Sequence, residues 1–211
     1  MNKIKNISIL GGGSWGITLA VLLYEKGFNI SVWEFDKEKY EILKKERKIK
    51  FLPHLKIPKE VNISNDIYET TKKKDLIVVA VPSKAIRQTA EHISKQNLSD
   101  STIIVNVSKG IETKTFLRLS EVLKEVFSDR IGNNVAVISG PSHAEEVSRK
   151  IPTSVVVSSL NCELANLVQK IFNTPFFRIY TQDDIIGVET GGALKNIIAL
   201  ASGIADGIGL G

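Results

Sequence analysis

A glycine-rich stretch near the N-terminus, Gly11–Gly16, restricts the possible folds of this chain more than any other feature. It separates a short β-branched segment, Ile7–Leu10, from Ile17–Tyr24, where apolar residues recur with helical spacing. Three glycines match the pattern G-x-G-x-x-G: Gly11, Gly13 and Gly16. In that pattern the first glycine permits a tight turn, the second admits a pyrophosphate, and the third lets the helix approach the strand. A helix beginning near Ser14 also directs its free N–H groups toward an anion. The stretch predicts a dinucleotide site, with a plain glycine-rich turn as the alternative.

The acidic residue Glu34 supports the same prediction because it ends a second predicted strand, Ile30–Trp33, roughly 20 residues beyond the glycines. A carboxylate at that position accepts hydrogen bonds from the ribose hydroxyls of the adenosine and repels a 2′-phosphate. We therefore predict NAD or NADP as cofactor, with NAD favoured by Glu34. A solvated charge at a strand end is the alternative. Asp36 is predicted to be the N-cap of the next helix.

Strand and helix patterns alternate along the whole chain. The predicted strands are Ile7–Leu10, Ile30–Trp33, Val61–Ser64, Leu76–Val81, Ile103–Val107, Val135–Ser139, Ser154–Val157 and Phe176–Tyr180. After the helix that follows the glycines, the predicted helices are Lys37–Arg47, Lys84–Ser94, Lys114–Phe127, Ser142–Arg149, Glu163–Phe172 and Asp184–Ala205. Such alternation predicts an α/β fold with a doubly wound, mostly parallel sheet of the Rossmann type.

Ligands of such sheets bind beyond the carboxyl ends of the strands, so the residues that follow each strand are the candidates for a site. Lys109 lies between Ser108 and Gly110, in a tight turn after a core strand. A lysine there could hold a negatively charged substrate or polarise a carbonyl, although most lysines are surface residues. At the same predicted edge, Ser142 could cap a helix with Glu145 in a capping box, or its neighbouring N–H groups could bind an anion.

A second unusual stretch, Gly191–Asn196, lies within the last predicted helix. Two glycines in a helix cost roughly 1 kcal/mol each relative to alanine, which suggests a packing or functional reason. Lys195 shares a helix face mainly with small residues, so its side chain could reach into a cleft. Partial burial would lower its pKa toward a range useful for proton transfer. A lysine extending from a packed helix to solvent is the alternative.

Composition restricts the class of protein. The 211 residues are 43% hydrophobic and carry a net charge of +5, and the lysines are not interleaved with aromatic residues, so no nucleic-acid partner is expected. A mildly positive field favours small phosphorylated substrates. The single cysteine, Cys162, provides neither a disulfide nor a metal site. We see no signal peptide and no apolar run of the roughly 18 residues that a membrane span requires, and we expect a cytoplasmic protein.

Five motifs, in this order, resemble those of one family, the bacterial-type NAD(P)-dependent glycerol-3-phosphate dehydrogenases. They are Gly11–Gly16, Ala80–Ser83, Val107–Glu112, Ser139–Glu146 and Gly191–Asn196. The resemblance covers the whole chain. It implies the reversible reduction of dihydroxyacetone phosphate to sn-glycerol 3-phosphate, which supplies phospholipid synthesis.

The resemblance also implies roles for particular residues. The implied cofactor contacts are Ser14, Trp15, Lys109 and Ala144, and the implied substrate contacts are Lys109, Gly140, Ser142, Lys195 and Asn196. Lys195 would be the general acid/base that gives a proton to the substrate oxygen as the nicotinamide delivers hydride. Residues 1–181 would form the dinucleotide-binding domain and 182–211 the beginning of a helical substrate domain, which we expect to be incomplete here. The oligomeric state stays open, with a homodimer as one option.

Two other interpretations remain. A related dehydrogenase of hydroxy acids or sugar acids would share the cofactor domain and a lysine on the last helix, although Lys109 and Ser139–Glu146 argue against it. A cofactor-binding module without catalysis, such as a redox sensor or a truncated remnant, is the other, and the C-terminal residues that the family has and this chain lacks favour it. One departure from the family also matters for the cofactor, because its members often carry a basic residue just after the second strand, where this chain has Glu34.

Overall fold

A computed structural model describes residues 4–210, apart from the side chains of residues 128–130. The strands are β1 (Asn6–Leu10), β2 (Asn29–Trp33), β3 (Asn62–Ser64), β4 (Leu76–Val79), β5 (Ile103–Asn106), β6 (Val135–Ser139), β7 (Thr153–Ser159) and β8 (Phe177–Gln182). The helices are α1 (Ser14–Glu25), α2 (Lys37–Glu46), α3 (Ile67–Thr71), α4 (Ile86–Ser94), α5 (Leu119–Gly132), α6 (Ala144–Ser148), α7 (Cys162–Phe172) and α8 (Ile185–Gly207).

The eight strands form one sheet in the order β3-β2-β1-β4-β5-β6-β7-β8. All neighbouring pairs are parallel except β6 and β7, which run antiparallel with Ser139 opposite Val156. Consequently, β1 to β6 present their carboxyl ends at one edge of the sheet, whereas β7 and β8 end at the other. The predicted doubly wound, mostly parallel sheet is confirmed.

Each face of the sheet is covered by helices, because the central strands alternate apolar side chains between two cores. Ile9 and Val78 pack into the core under α1 and α7. Leu10 and Val79 pack into the opposite core, under α4 and α5. A strand with apolar residues on both faces is what a parallel sheet between two helical layers requires. This arrangement leaves the edges of the sheet, rather than its faces, for binding.

Two helix predictions are wrong. The helix predicted at Lys114–Phe127 begins instead at Leu119, because the preceding residues form a separate loop closed by a bridge between Ile111 and Arg118. The capping box of Ser142 and Glu145 does not form. His143 is the N-cap of α6 and provides no side-chain hydrogen bond, while the Ser142 N–H donates to the Gly140 carbonyl in a tight turn. In contrast, Asp36 caps α2 as predicted, accepting from the Lys39 N–H at 3.0 Å.

The last helix, α8, is held to the rest of the molecule near its N-terminus and is largely exposed beyond it. Its only buried residues are Ile185 and Glu189. By length and composition α8 could cross a membrane, and it is the single such helix in the described range. One helix of this kind is weak support for a span, so the expected absence of a span stays a prediction, as does the domain boundary near residue 181.

Candidate active site

The glycine loop between β1 and α1 has the geometry that a bound pyrophosphate requires. Gly11 has a φ of +120°, and a Cβ there would lie 2.6 Å from the Ala80 carbonyl oxygen. A Cβ on Gly16 would collide with the Gly11 carbonyl oxygen, whereas one on Gly13 would meet nothing within 4 Å. The loop is therefore packed against the sheet at its first and third glycines and open at its second. No side chain caps α1, so its first N–H groups face this opening.

The Glu34 carboxylate lies directly beside the loop and is almost completely buried. Its Oε2 accepts a hydrogen bond from the Gly12 N–H at 3.1 Å, and its Oε1 accepts from the Asp36 N–H at 3.0 Å. A carboxylate has room for further donors, so the ribose hydroxyls of a nucleotide can still bind to it. A Cβ on Gly12 would lie 2.6 Å from Glu34 Oε2. The absence of a side chain at Gly12 thus lets the carboxylate reach the backbone of the loop.

Two adjoining cavities follow the carboxyl ends of β1, β4 and β5. The first, of about 410 Å³, is lined by the glycine loop and Glu34, together with Phe35, Asp36, Lys39, Lys84 and His92. The second, of about 370 Å³, is lined by Trp15, Pro82, Ser83, Lys109, Ser142, His143 and Ala144. They share Ala80, Val81 and Pro82 in their walls. Together they are of the size and elongated arrangement that a dinucleotide needs.

Lys109 is the cation of the second cavity. Its Nζ donates a hydrogen bond to the Gly140 carbonyl oxygen at 2.8 Å, which joins the loop after β5 to the turn after β6. The loop after β5 is fixed in turn by the Ser108 hydroxyl, which donates to the Val81 carbonyl oxygen at 2.5 Å. Partial burial lowers the pKa of Lys109, and the nearby charge of Lys195 lowers that pKa further. The charge of Lys195 is therefore close enough to act on the Lys109 ammonium group.

A close approach of α8 to β6 brings these two lysines together. A Cβ on Gly192 would collide with the Ser139 hydroxyl and would lie 3.6 Å from Lys109 Cγ. Lys195 follows Gly192 by one helical turn. Gly191, by contrast, has nothing within 4 Å of the position that a Cβ would take. Close packing therefore explains why position 192 is a glycine, but it does not explain the glycine at position 191.

Not all of the predicted site residues line the two cavities. Ser142 and Ala144 lie in the second cavity, and Gly140 binds Lys109 through its carbonyl oxygen. Within the described range, neither Lys195 nor Asn196 lines either cavity. Lys195 is half-buried beside them, and Asn196 is exposed.

Sequence reasoning missed three residues that line the first cavity, namely Lys39, Lys84 and His92. Lys84 follows Pro82-Ser83 at the end of a strand, and this position could have identified it. No comparable signal marked His92, which lies in the second half of α4.

A parallel sheet with this glycine loop, an acidic residue after β2 and two adjoining cavities at the carboxyl edge defines a dinucleotide-binding α/β protein. The family model described as the NAD-dependent glycerol-3-phosphate dehydrogenase N-terminus matches residues 6–165, and the model of the C-terminus of the same family matches residues 184–211. The chain belongs to the NAD-dependent glycerol-3-phosphate dehydrogenase family, which confirms the resemblance of its motifs.

Individual relatives agree with this assignment. The glycerol-3-phosphate dehydrogenase [NAD(P)+] of Fusobacterium nucleatum is 48% identical over 206 residues, and that of Chlorobium phaeobacteroides is 50% identical over 206 residues. Both alignments cover 97% of this chain, which spans 61% of the length of these two relatives. The crystal structure of glycerol-3-phosphate dehydrogenase from Coxiella burnetii is 32% identical with a TM-score of 0.88, covering 99% of this chain and 63% of that one.

Proposed function

We propose that this protein catalyses the reversible reduction of dihydroxyacetone phosphate to sn-glycerol 3-phosphate, with NADH or NADPH as the reductant, and thereby feeds glycerophospholipid synthesis. The observation that carries the proposal is the approach of Lys109 and Lys195 to each other beside the open glycine loop. Two cations next to a dinucleotide cleft suit a small anionic substrate whose carbonyl must be reduced. The names of the relatives, glycerol-3-phosphate dehydrogenase [NAD(P)+], support the same substrate.

The residues of the glycine loop fit a dinucleotide. Gly11, Gly13, Ser14, Trp15 and Gly16 would hold its pyrophosphate through backbone N–H groups and the free end of α1. When bound, the nicotinamide supplies the hydride. Trp15 is oriented by an edge-to-face contact with Phe177, at 6.0 Å between ring centroids, and would form one wall of the second cavity with Ala144. Glu34 would accept the ribose hydroxyls and favour NAD.

The two lysines would have separate roles at the substrate. Lys109, fixed by the Gly140 carbonyl, would attract the anionic substrate and contact the cofactor. Lys195 would donate a proton to the carbonyl oxygen as the carbon is reduced, and would accept it in the reverse direction. Gly140, Ser142 and Asn196 would complete the substrate contacts.

The test follows the loss of reduced-nicotinamide absorbance with dihydroxyacetone phosphate, for the wild-type protein and its Lys195→Met variant. We expect turnover by the wild type and a loss of about 100-fold or more in kcat for the variant, because general acid catalysis contributes roughly 10²–10⁴-fold. Cofactor affinity should be unchanged. Binding of NADH without oxidation would contradict the proposal and favour a cofactor-binding module. Oxidation with a hydroxy-acid or sugar-acid substrate, but not with this one, would favour a related dehydrogenase.

We also propose a cytoplasmic location, which is supported by the single exposed cysteine, Cys162. A homodimer stays a prediction of the family resemblance, and gel filtration with light scattering would test it.

A further inference from the structure

A buried carboxylate connects α8 to the nucleotide-binding part of the molecule. Glu189 is 6% exposed, and both of its oxygens are hydrogen-bonded. Oε1 accepts from the Ser120 N–H at 2.9 Å, while Oε2 accepts from the Ser120 hydroxyl at 2.5 Å and from Arg118 Nη1 at 2.8 Å. A buried carboxylate with three donors is held in one position, since losing any donor would leave a charge in a poorly solvated place.

The partners of Glu189 belong to the beginning of α5. Ser120 lies in the first turn of that helix, where unpaired N–H groups and the positive dipole end stabilise a carboxylate. Arg118 precedes the helix and ends the loop that begins with Lys109. The same arginine donates to Glu121 Oε1 at 2.7 Å, so its guanidinium is fixed from two sides.

Glu189 therefore joins the two segments that carry the lysines. On α8 it precedes Lys195 by six residues, which corresponds to about 9 Å of helical rise. Its partners terminate the loop of Lys109. Between these points Gly192 packs closely on Ser139 and Lys109, and α8 also lies against β6 and β7. Like charges repel, so the attractive contact of Glu189 with the beginning of α5 opposes a movement of α8 away from Lys109.

We propose that Glu189 is a positioning residue, which fixes the spacing of Lys109 and Lys195 by holding α8 against the beginning of α5. The expected effect on catalysis rests on the proposed function. The expected effect on the position of α8 rests only on the hydrogen bonds of Glu189. Glu189 itself does not touch the substrate.

The kinetic test compares Glu189→Gln with the matched control Glu121→Gln. Both variants remove one carboxylate from Arg118, but only the first lies on α8. We expect kcat to fall by about tenfold or more in Glu189→Gln, because small misplacements of a reacting group cost roughly 10²-fold, with the KM for NADH unchanged. Glu121→Gln should keep the wild-type kcat. Equal kcat values in the two variants, or equal losses, would overturn the inference.

A second measurement does not depend on turnover. In a Cys162→Ser background, spin labels at Glu91→Cys on α4 and Leu200→Cys on α8 report the distance between the helices by double electron–electron resonance. We expect a shifted or broadened distance distribution with Glu189→Gln and an unchanged one with Glu121→Gln. An unchanged distribution with Glu189→Gln would overturn the inference.

The two measurements distinguish a failure of the proposed function from a failure of the role proposed for Glu189. A wild type that shows no turnover would contradict the proposed function, while the distance distributions would still decide the role of Glu189. If Glu189→Gln does not give a cooperative thermal transition, Ser120→Ala takes its place, since it removes the hydroxyl donor and keeps the backbone donor. The same shift in the distance distribution is expected for Ser120→Ala, and its absence would overturn the inference.

Discussion

Among single residues, Glu34 gives the most direct test of cofactor choice. Replacing Glu34 with arginine removes the charge that we propose to repel a 2′-phosphate, and Glu34→Gln removes the charge while keeping an acceptor for the Gly12 N–H. We expect the ratio of NADPH affinity to NADH affinity to rise in both, by about tenfold in Glu34→Arg, which corresponds to ~1.4 kcal/mol. Titration of reduced-nicotinamide fluorescence measures the two dissociation constants. An unchanged ratio in both variants would remove Glu34 from the cofactor site.

The adjacent glycines of α8 form a matched pair. In Gly192→Ala the new methyl group would collide with the Ser139 hydroxyl, so either the Ser139 side chain or α8 must shift beside Lys109. We expect kcat/KM for dihydroxyacetone phosphate to fall by about tenfold, with little change in NADH affinity. In Gly191→Ala the methyl group meets nothing within 4 Å, so we expect normal activity and a gain of roughly 0.5–1 kcal/mol in the free energy of unfolding. Similar kinetics for the two variants would contradict the close-contact explanation.

This pair also shows what the sequence could reveal about single residues. Both glycines are unusual in a helical segment, and the sequence does not distinguish them. They differ because Gly192 lies against Ser139, a residue that is distant in the chain, whereas Gly191 does not. Residues whose position follows from a local rule, such as Gly11 in its turn and Asp36 at its cap, were predictable. Contacts that depend on how helices pack, such as Glu189 with Ser120, were not.

On the scale of elements, the loop between β5 and α5 is stabilised by an ion pair that depends on pH. Arg87 binds Glu112 through two hydrogen bonds, of 2.9 and 2.8 Å, and the Thr115 hydroxyl donates a third, of 2.6 Å. These donors, Arg87 above all, lower the pKa of Glu112 to about 2. The ordinary value is about 4.3, so the stabilisation is present above that pH and is lost as the pH falls toward 2.

We therefore expect Glu112→Gln to be less stable than the wild type at pH 7, with the difference shrinking as the pH is lowered from about 5 to about 2. Urea unfolding at a series of pH values measures the difference in the free energy of unfolding between the two proteins. The control is Glu125→Gln, since Glu125 binds the same arginine but is largely exposed and should cost much less. A difference independent of pH would contradict the role of the ion pair.

The elements also show where local patterns fail. The strands were predictable because runs such as Leu76–Val79 must be buried on both faces. The beginning of α5 was not, because Lys114, Leu117 and Arg118 are good helix formers that extend the helical pattern toward the N-terminus. Their local preference is overridden by the bridge between Ile111 and Arg118 and by the contacts of Glu112.

For the whole molecule, we expect hydrogen exchange to be graded from the sheet to the end of α8. Strands β1, β4 and β5 are buried on both faces and should show the strongest protection. In α8 the protection should fall after Gly192, since the helix has no buried residue beyond Glu189. Exchange measured by mass spectrometry on the 211-residue chain would show this gradient. Uniform protection along α8 would contradict it.

The reversal between β6 and β7 has one more consequence. Since β8 ends at the edge of the sheet opposite the cofactor cleft, the chain must return along α8 to bring Lys195 to that cleft. Lys195 thus lies near the middle of one uninterrupted helix, ten residues after its first residue. Each residue added before the lysine would advance it by about 1.5 Å along the helix axis and turn it by about 100°. An insertion between Glu189 and Lys195 would keep the contact of Glu189 with α5 and turn the lysine away from the cleft, so the rotational position of α8 matters to the site as much as its side chains do.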